Sequence, residues 1–186
     1  IENLEEIYIY PACELVLTEE ERRNGVARIQ KEAEKTAEKF RKEMKTEEAY
    51  RIKSMADQIA EETMEYGITA GLDAYLSYFC EERVSLLDYL KKEDSIVFLD
   101  ETVRTIERGQ STETEFSESM KQRLEKGYIL PGQMRELFSC AEILAKIEER
   151  KCVALVALDM KNKYLDLKLR LSMETRTVNL FNNSFE

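Results

Sequence analysis

This 186-residue chain predicts an α/β fold with a partly parallel sheet and a long helical hairpin. Three observations point there. Short runs rich in β-branched and aromatic residues are separated by helical segments, the pattern of parallel strands joined by crossovers. Two long amphipathic stretches follow one another over residues 18–65, as in an antiparallel pair. The length suits one sizeable core, since a domain of this size buries about 70% of the surface its unfolded chain exposes. One domain is expected, with a small appendage at most.

The first element is IYIYP, residues 7–11, which alternates like a short strand and stops at its proline. Thr18 with Glu21 three residues on makes a capping box, and the acids around them suit the positive end of a helix dipole. Val26, Ile29, Ala33, Ala37, Phe40 and Met44 then recur at three- and four-residue steps and define one apolar face. Lys31, Lys35 and Lys39 form a second stripe. Because Glu32, Glu34 and Glu38 flank it, it reads as a solvated face rather than a phosphate contact.

Thr46 and two glutamates open a second helix, with Ile52, Met55, Ala56, Ile59 and Met64 facing inward. Methionines at helical spacing are core filler before they are a binding groove. Gly67 and Gly71 bracket a turn, a short helix runs near 72–79, and Ser85 with Asp88 caps another. IVFLD, residues 96–100, is a strand that ends in two carboxylates, Asp100 and Glu101. Val103, Ile106, Phe116, Met120 and Leu124 fit a longer helix, and Gly127 suits its C-terminal cap. Ser139 caps a helix through Ile143, Leu144 and Ile147. CVALVAL, residues 152–158, has the length and β-branching of a buried strand. YLDLKLRL, residues 164–171, alternates like a strand with one wet face, and RTVNLF, residues 176–181, like a last strand.

Composition narrows the chemistry. There is no histidine, which removes His-activated nucleophiles, His general bases and mixed Cys/His zinc sites. The four cysteines are far apart with no C-x-x-C, as expected of free thiols in a reducing cytoplasm. No apolar run approaches the roughly 20 residues of a membrane helix. A net charge of −10, and six glutamates with no base in residues 1–20, speak against a general nucleic-acid grip. The sequence opens at Ile1 and ends in LFNNSFE mid-pattern, as a piece of a longer protein would.

The remaining chemistry is carboxylate, and Asp100–Glu101 is its best candidate. In phosphate-hydrolysing motors such an Asp helps hold Mg2+ and the Glu positions water, opposite a G-x-x-x-x-G-K-[ST] loop that cradles the phosphates. The six glycines here are followed by Val26, Ile68, Leu72, Gln110, Tyr128 and Gln133, so no Gly-Lys pair exists. The plainer reading is that the two acids end a strand and start a helix. A two-metal nuclease centre would want further converging acids, and spacing alone places none.

The order YPACELVLTEEERR (10–23), two helices, GLDAYLSYFCEERVSLLDYL (71–90) and IVFLDE resembles the excision-repair protein UvrB. It resembles more closely the N-terminal UvrB-like module of bacterial transcription-repair coupling factors. The likeness covers roughly residues 7–130, with GYILP as a weaker continuation. It implies a degenerate helicase (RecA-like) lobe fragment over residues 11–186, preceded in residues 1–10 by the terminal strand of an inserted domain. In UvrB this strand ends in Asp-Glu-Ser-His, a Walker B-type motif. Asp100 and Glu101 match its acids, while Thr102 and Val103 stand in place of Ser and His.

That departure implies a module without ATPase function, a scaffold and interaction part in transcription-coupled nucleotide excision repair. ATP and Mg2+ would belong to the motor of the longer protein. The resemblance implies UvrA as a partner through the preceding inserted domain, with RNA polymerase and DNA engaged by other parts. The spaced cysteines and the short apolar runs lead to the expectation of a cytoplasmic location and no membrane. The rivals are a working UvrB-type lobe that takes its phosphate loop from elsewhere, and a helical adaptor built on residues 18–65.

Overall fold

The computed structural model describes residues 6–8, 15–67, 71–157 and 163–174. Helix α1, Glu19–Lys42, begins where the capping box predicts. The Glu21 N–H donates to Thr18 Oγ1 at 3.3 Å, and the Thr18 N–H donates to Glu21 Oε2 at 2.8 Å. Helix α2, Thr46–Tyr66, follows after a tight turn in which Met44 takes a positive φ of 60°. That turn carries Met44 out of the apolar stripe and leaves it 90% exposed, against expectation. Met64 is also largely exposed, because α2 packs on α1 through its small residues Ala49, Ala56 and Ala60 with Ile52 between them.

The α1–α2 hairpin carries the main core. Ile29, Ala33, Ala37 and Phe40 of α1 meet Ala49, Ile52 and Ala56 of α2, and residues 72–79 close the open end. This closing segment is a 3-10 turn, Leu72–Tyr75, running into the short helix α3, Leu76–Phe79. Gly25 sits where the Phe79 ring crosses α1: a Cβ there would lie 2.1 Å from Phe79 Cδ1. Leu130, fully buried, brings the second half of the chain onto the same core.

That half is a β-α-β unit. Strand β1, Ile96–Asp100, pairs in parallel with β2, Lys151–Leu155, in the register Ile96 to Lys151 and Asp100 to Leu155. The crossover holds α4, Thr102–Glu125, a 3-10 turn at Pro131–Arg135, and α5, Cys140–Glu148. Gly127, at φ 67°, turns the chain out of α4, and a Cβ there would meet the Glu48 carbonyl at 2.8 Å. Ser139 and Glu142 make a second capping box at the start of α5. Leu99, Ile106, Ile143, Leu144 and Ile147 line the seam between β1 and the two helices.

The fold is thus mixed helix and strand, mostly helical, with a two-stranded parallel sheet. Parallel sheets are ordinarily covered on both faces, but Ile96, Phe98, Val153 and Leu155 stand exposed on the second face here. β2 is therefore not the buried strand that its composition suggested. Alternation in residues 164–171 also fails to make a strand: they are irregular, and Leu169 and Leu171 are exposed. A strand needs a ladder partner, and none of the described strands pairs there. Of IYIYP, Ile7 and Tyr8 are exposed and outside any strand, and residues 9–11 lie outside the described residues. So does RTVNLF.

Candidate functional site

The carboxylate pair lies at the C-terminal edge of the sheet. Its two members have different surroundings. β1 ends at Asp100, whose side chain is exposed, and its carbonyl accepts the Thr105 hydroxyl at 2.8 Å. The next residue turns sharply. Glu101 adopts φ 48° and ψ 55°, a left-handed conformation, and serves as the N-cap residue of α4. Its N–H extends the ladder to the Leu155 carbonyl at 2.8 Å, and its own carbonyl accepts the Thr105 N–H at 2.9 Å. Its carboxylate reaches across the sheet end, where Oε1 accepts the Ala157 N–H at 2.9 Å.

Glu101 therefore braces the chain leaving β2 against the start of α4, by backbone and side chain together. Thr102 is fully buried, and its hydroxyl has no hydrogen-bond partner. Among the described residues no cluster of three or more acids, cysteines or histidines is placed to hold a metal ion.

The lysine stripe of α1 lies in a different setting from the one its sequence neighbours suggest. Lys31 and Lys35 open onto a cleft of about 330 Å3 between α1 and the Pro131–Arg135 turn, where Arg28 and Arg135 join them. Lys39 is exposed further along the helix. Beneath the cleft, Glu32 Oε2 accepts the Gly132 N–H at 3.0 Å and the Tyr78 hydroxyl. The same hydroxyl oxygen accepts the Gly132 N–H at 3.0 Å. Burial, followed by the hydrogen bond to Glu32 and then the charge of that carboxylate, pushes the Tyr78 phenol well above its ordinary value. Only glycine fits at position 132, since a Cβ would lie 2.4 Å from Tyr78 Oη. Arg135 was invisible to sequence reasoning because it comes from about a hundred residues away.

The chain is similar to UvrABC system protein B and to a transcription-repair-coupling factor. It is 32% identical over 137 residues to UvrABC system protein B of Kosmotoga olearia, covering 71% of this chain and 20% of that protein. UvrABC system protein B of Thermosipho africanus is 35% identical over 111 residues, covering 57% and 17%. The transcription-repair-coupling factor of Bacillus subtilis is 32% identical over 146 residues, covering 78% and 12%. The chain spans a fifth or less of the length of these curated relatives. No family model matches it.

Proposed function

We propose, for a chain homologous to UvrB and to the transcription-repair coupling factor alike, that it is a non-catalytic UvrB-like module acting in transcription-coupled nucleotide excision repair. In this reading the lobe descends from a RecA-like helicase domain, and its sheet end has passed from nucleotide chemistry to structural use. The single observation that carries it is the Glu101 carboxylate, which is engaged by the Ala157 amide. A water-positioning glutamate has to face the phosphate instead. The sequence has no Gly-Lys pair, so this chain by itself carries no phosphate cradle.

The module acts as scaffold and interaction part of a longer repair protein. UvrA is the partner expected through the inserted domain upstream, and the motor lies elsewhere in the longer chain. The rival, an active UvrB-type lobe, is favoured by the similarity to UvrB, which matches that to the coupling factor at 32% identity. Calorimetry with Mg-ATP separates the two when the upstream part that would carry the phosphate loop is present. No binding is expected. Micromolar binding that disappears in Asp100→Asn would establish the rival.

A second measurement tests the division of labour. Surface-plasmon titration with UvrA should show weak or no binding by this chain, and firm binding once the inserted domain is included upstream. Equal, strong binding by both would place the UvrA contact inside the present residues.

A further inference from the structure

Where α4, α5 and β1 meet, packing leaves a pocket of about 360 Å3. Ile106 and Ile147 are its buried floor, Phe138, Cys140, Ile143 and Leu144 its half-buried walls, and Leu137 stands exposed at the rim. Protein interiors hold few voids larger than a water molecule, and an empty one forfeits the dispersion contacts of its lining. The walls are nevertheless held in place from outside. Arg83 lies 4.6 Å from the Phe138 ring centre, donates to the Leu137 carbonyl at 3.1 Å and pairs with Glu142 at 3.2 Å. Gly109 brings α4 close to α5, since a Cβ there would lie 2.8 Å from Cys140 Sγ. Preformed, mainly apolar pockets of roughly 300–1,000 Å3 are the usual form of small-molecule sites.

The lining also decides the charge of the occupant. The Thr105 hydroxyl donates to the Asp100 carbonyl at 2.8 Å, and the Thr112 hydroxyl to the Arg108 carbonyl at 3.0 Å. Glu113, the one charged lining residue, accepts the Cys140 N–H at 3.0 Å at the start of α5, where the helix dipole favours an acid. Burial, then the Glu113 charge and hydrogen bond, hold the Cys140 thiol above its usual value, so the sulfur is uncharged at neutral pH. A cationic ligand would compete with the helix end for Glu113, and an anionic one would be repelled by it. A neutral apolar ligand meets neither cost. A protein partner would look for hydrogen bonds at the rim, and the two hydroxyl protons there are already donated.

We propose that the pocket between α4, α5 and β1 binds a neutral, apolar small molecule of about two fused rings. Its volume is more than twice the roughly 150 Å3 of an apolar cavity that stays dry and takes benzene. Leu99 and Thr105 line the pocket beside Asp100, so an occupant stabilises the packing of the sheet end against α4. The inference goes beyond the repair-module reading and does not depend on whether the Asp100–Glu101 pair is inactive.

The test uses naphthalene as the probe, with 2-naphthoate and 2-naphthylmethylammonium as its charged counterparts. Each is present while methyl methanethiosulfonate modifies the chain, and peptide mass spectrometry follows Cys140 and Cys80. Naphthalene at about four times its Kd should slow labelling of Cys140 by about fivefold and leave the exposed Cys80 unchanged. The charged probes should need concentrations higher by about tenfold or more, because they carry a charge into an apolar pocket. Thermal midpoints give an independent reading, and naphthalene alone should raise them. Leu144→Trp fills the pocket and should abolish both effects, whereas Leu144→Met, close in volume, should keep them. Unchanged labelling of Cys140 and an unchanged midpoint at saturating naphthalene would overturn the proposal. So would equal protection by the charged probes, or protection that survives in Leu144→Trp. A Cys140 that is inert without any probe, and reactive once Val178, Leu180 and Phe181 are all changed to Ser, would assign the pocket to the chain's own residues and overturn it as well.

Discussion

Glu101 Oε1 accepts the Ala157 N–H at 2.9 Å while Glu101 itself sits at φ 48°. One residue therefore supplies both a useful bond and an unfavourable backbone conformation. The two effects can be separated. Glu101→Ala loses the bond and keeps the strain, and should cost about 1 kcal/mol. Glu101→Gly loses the same bond but relieves a left-handed conformation that costs a non-glycine residue roughly 1–2 kcal/mol, and glycine is acceptable at an N-cap. Denaturant midpoints should place the Gly variant above the Ala variant by about 1 kcal/mol. The reverse order would mean that the turn is not strained.

Thr18→Ala should destabilise the chain by about 1 kcal/mol, because the hydroxyl is the acceptor for the Glu21 N–H at the start of α1. The pH dependence belongs to the other half of the box. Hydrogen bonds from the Thr18 backbone and side chain hold the Glu21 carboxyl below its usual 4.5. Its stabilising contribution is therefore complete above that value and disappears as pH falls through the lower folded pKa. Thermal midpoints of Glu21→Gln should be lower than wild type at neutral pH and converge with it in acid. Parallel pH profiles would show that the box does not titrate.

Gly25→Ala sets local propensity against packing. In an isolated helix, Ala in place of Gly is favourable by about 1 kcal/mol. Here the new methyl would lie 2.1 Å from the ring of Phe79, itself only 6% exposed. Overpacking of this kind should leave a net loss of about 2 kcal/mol. Gly25→Ala combined with Phe79→Leu should be less damaging than the sum of the singles, and the coupling is read from a double-mutant cycle. Additivity would mean that the two residues do not touch.

Tyr78→Phe removes the hydroxyl that bridges Glu32 and Gly132, at a cost of about 1–2 kcal/mol for polar groups left short of a partner. Burial, the Glu32 hydrogen bond and the Glu32 charge raise the folded pKa of this phenol above its ordinary 10. Its contribution is thus fully present below pH 10 and lost as pH rises beyond that value. The wild type should accordingly lose stability more steeply than Tyr78→Phe in the alkaline range. Identical alkaline limbs in urea titrations would remove Tyr78 from the junction.

The features determined by the sequence alone are those made within a few residues of themselves. Thr18 and Ser139 start α1 and α5, Gly127 turns the chain out of α4, and the three-and-four spacing from Val26 to Phe40 marks a face that is buried as read. Capping bonds and helical periodicity close over one turn, so adjacent residues suffice to specify them. Alternation in residues 164–171 specified only that a strand was permissible. A ladder also requires a neighbour, and that is a tertiary fact.

Tertiary structure likewise set the value of each charge. Glu32 flanks Lys31 in sequence, but docking of residues 72–79 and 131–135 on α1 ties Glu32 to Tyr78 and Gly132 and brings Arg135 beside the lysines. The same docking makes Gly25 a packing requirement where propensity alone would prefer alanine. Asp100 and Glu101 are neighbours in the chain, yet only the parallel pairing of β1 with β2 puts the Ala157 N–H within reach of one of them. Residues far apart in sequence meet through the packing of whole elements, and no local pattern encodes which polar groups that packing will join.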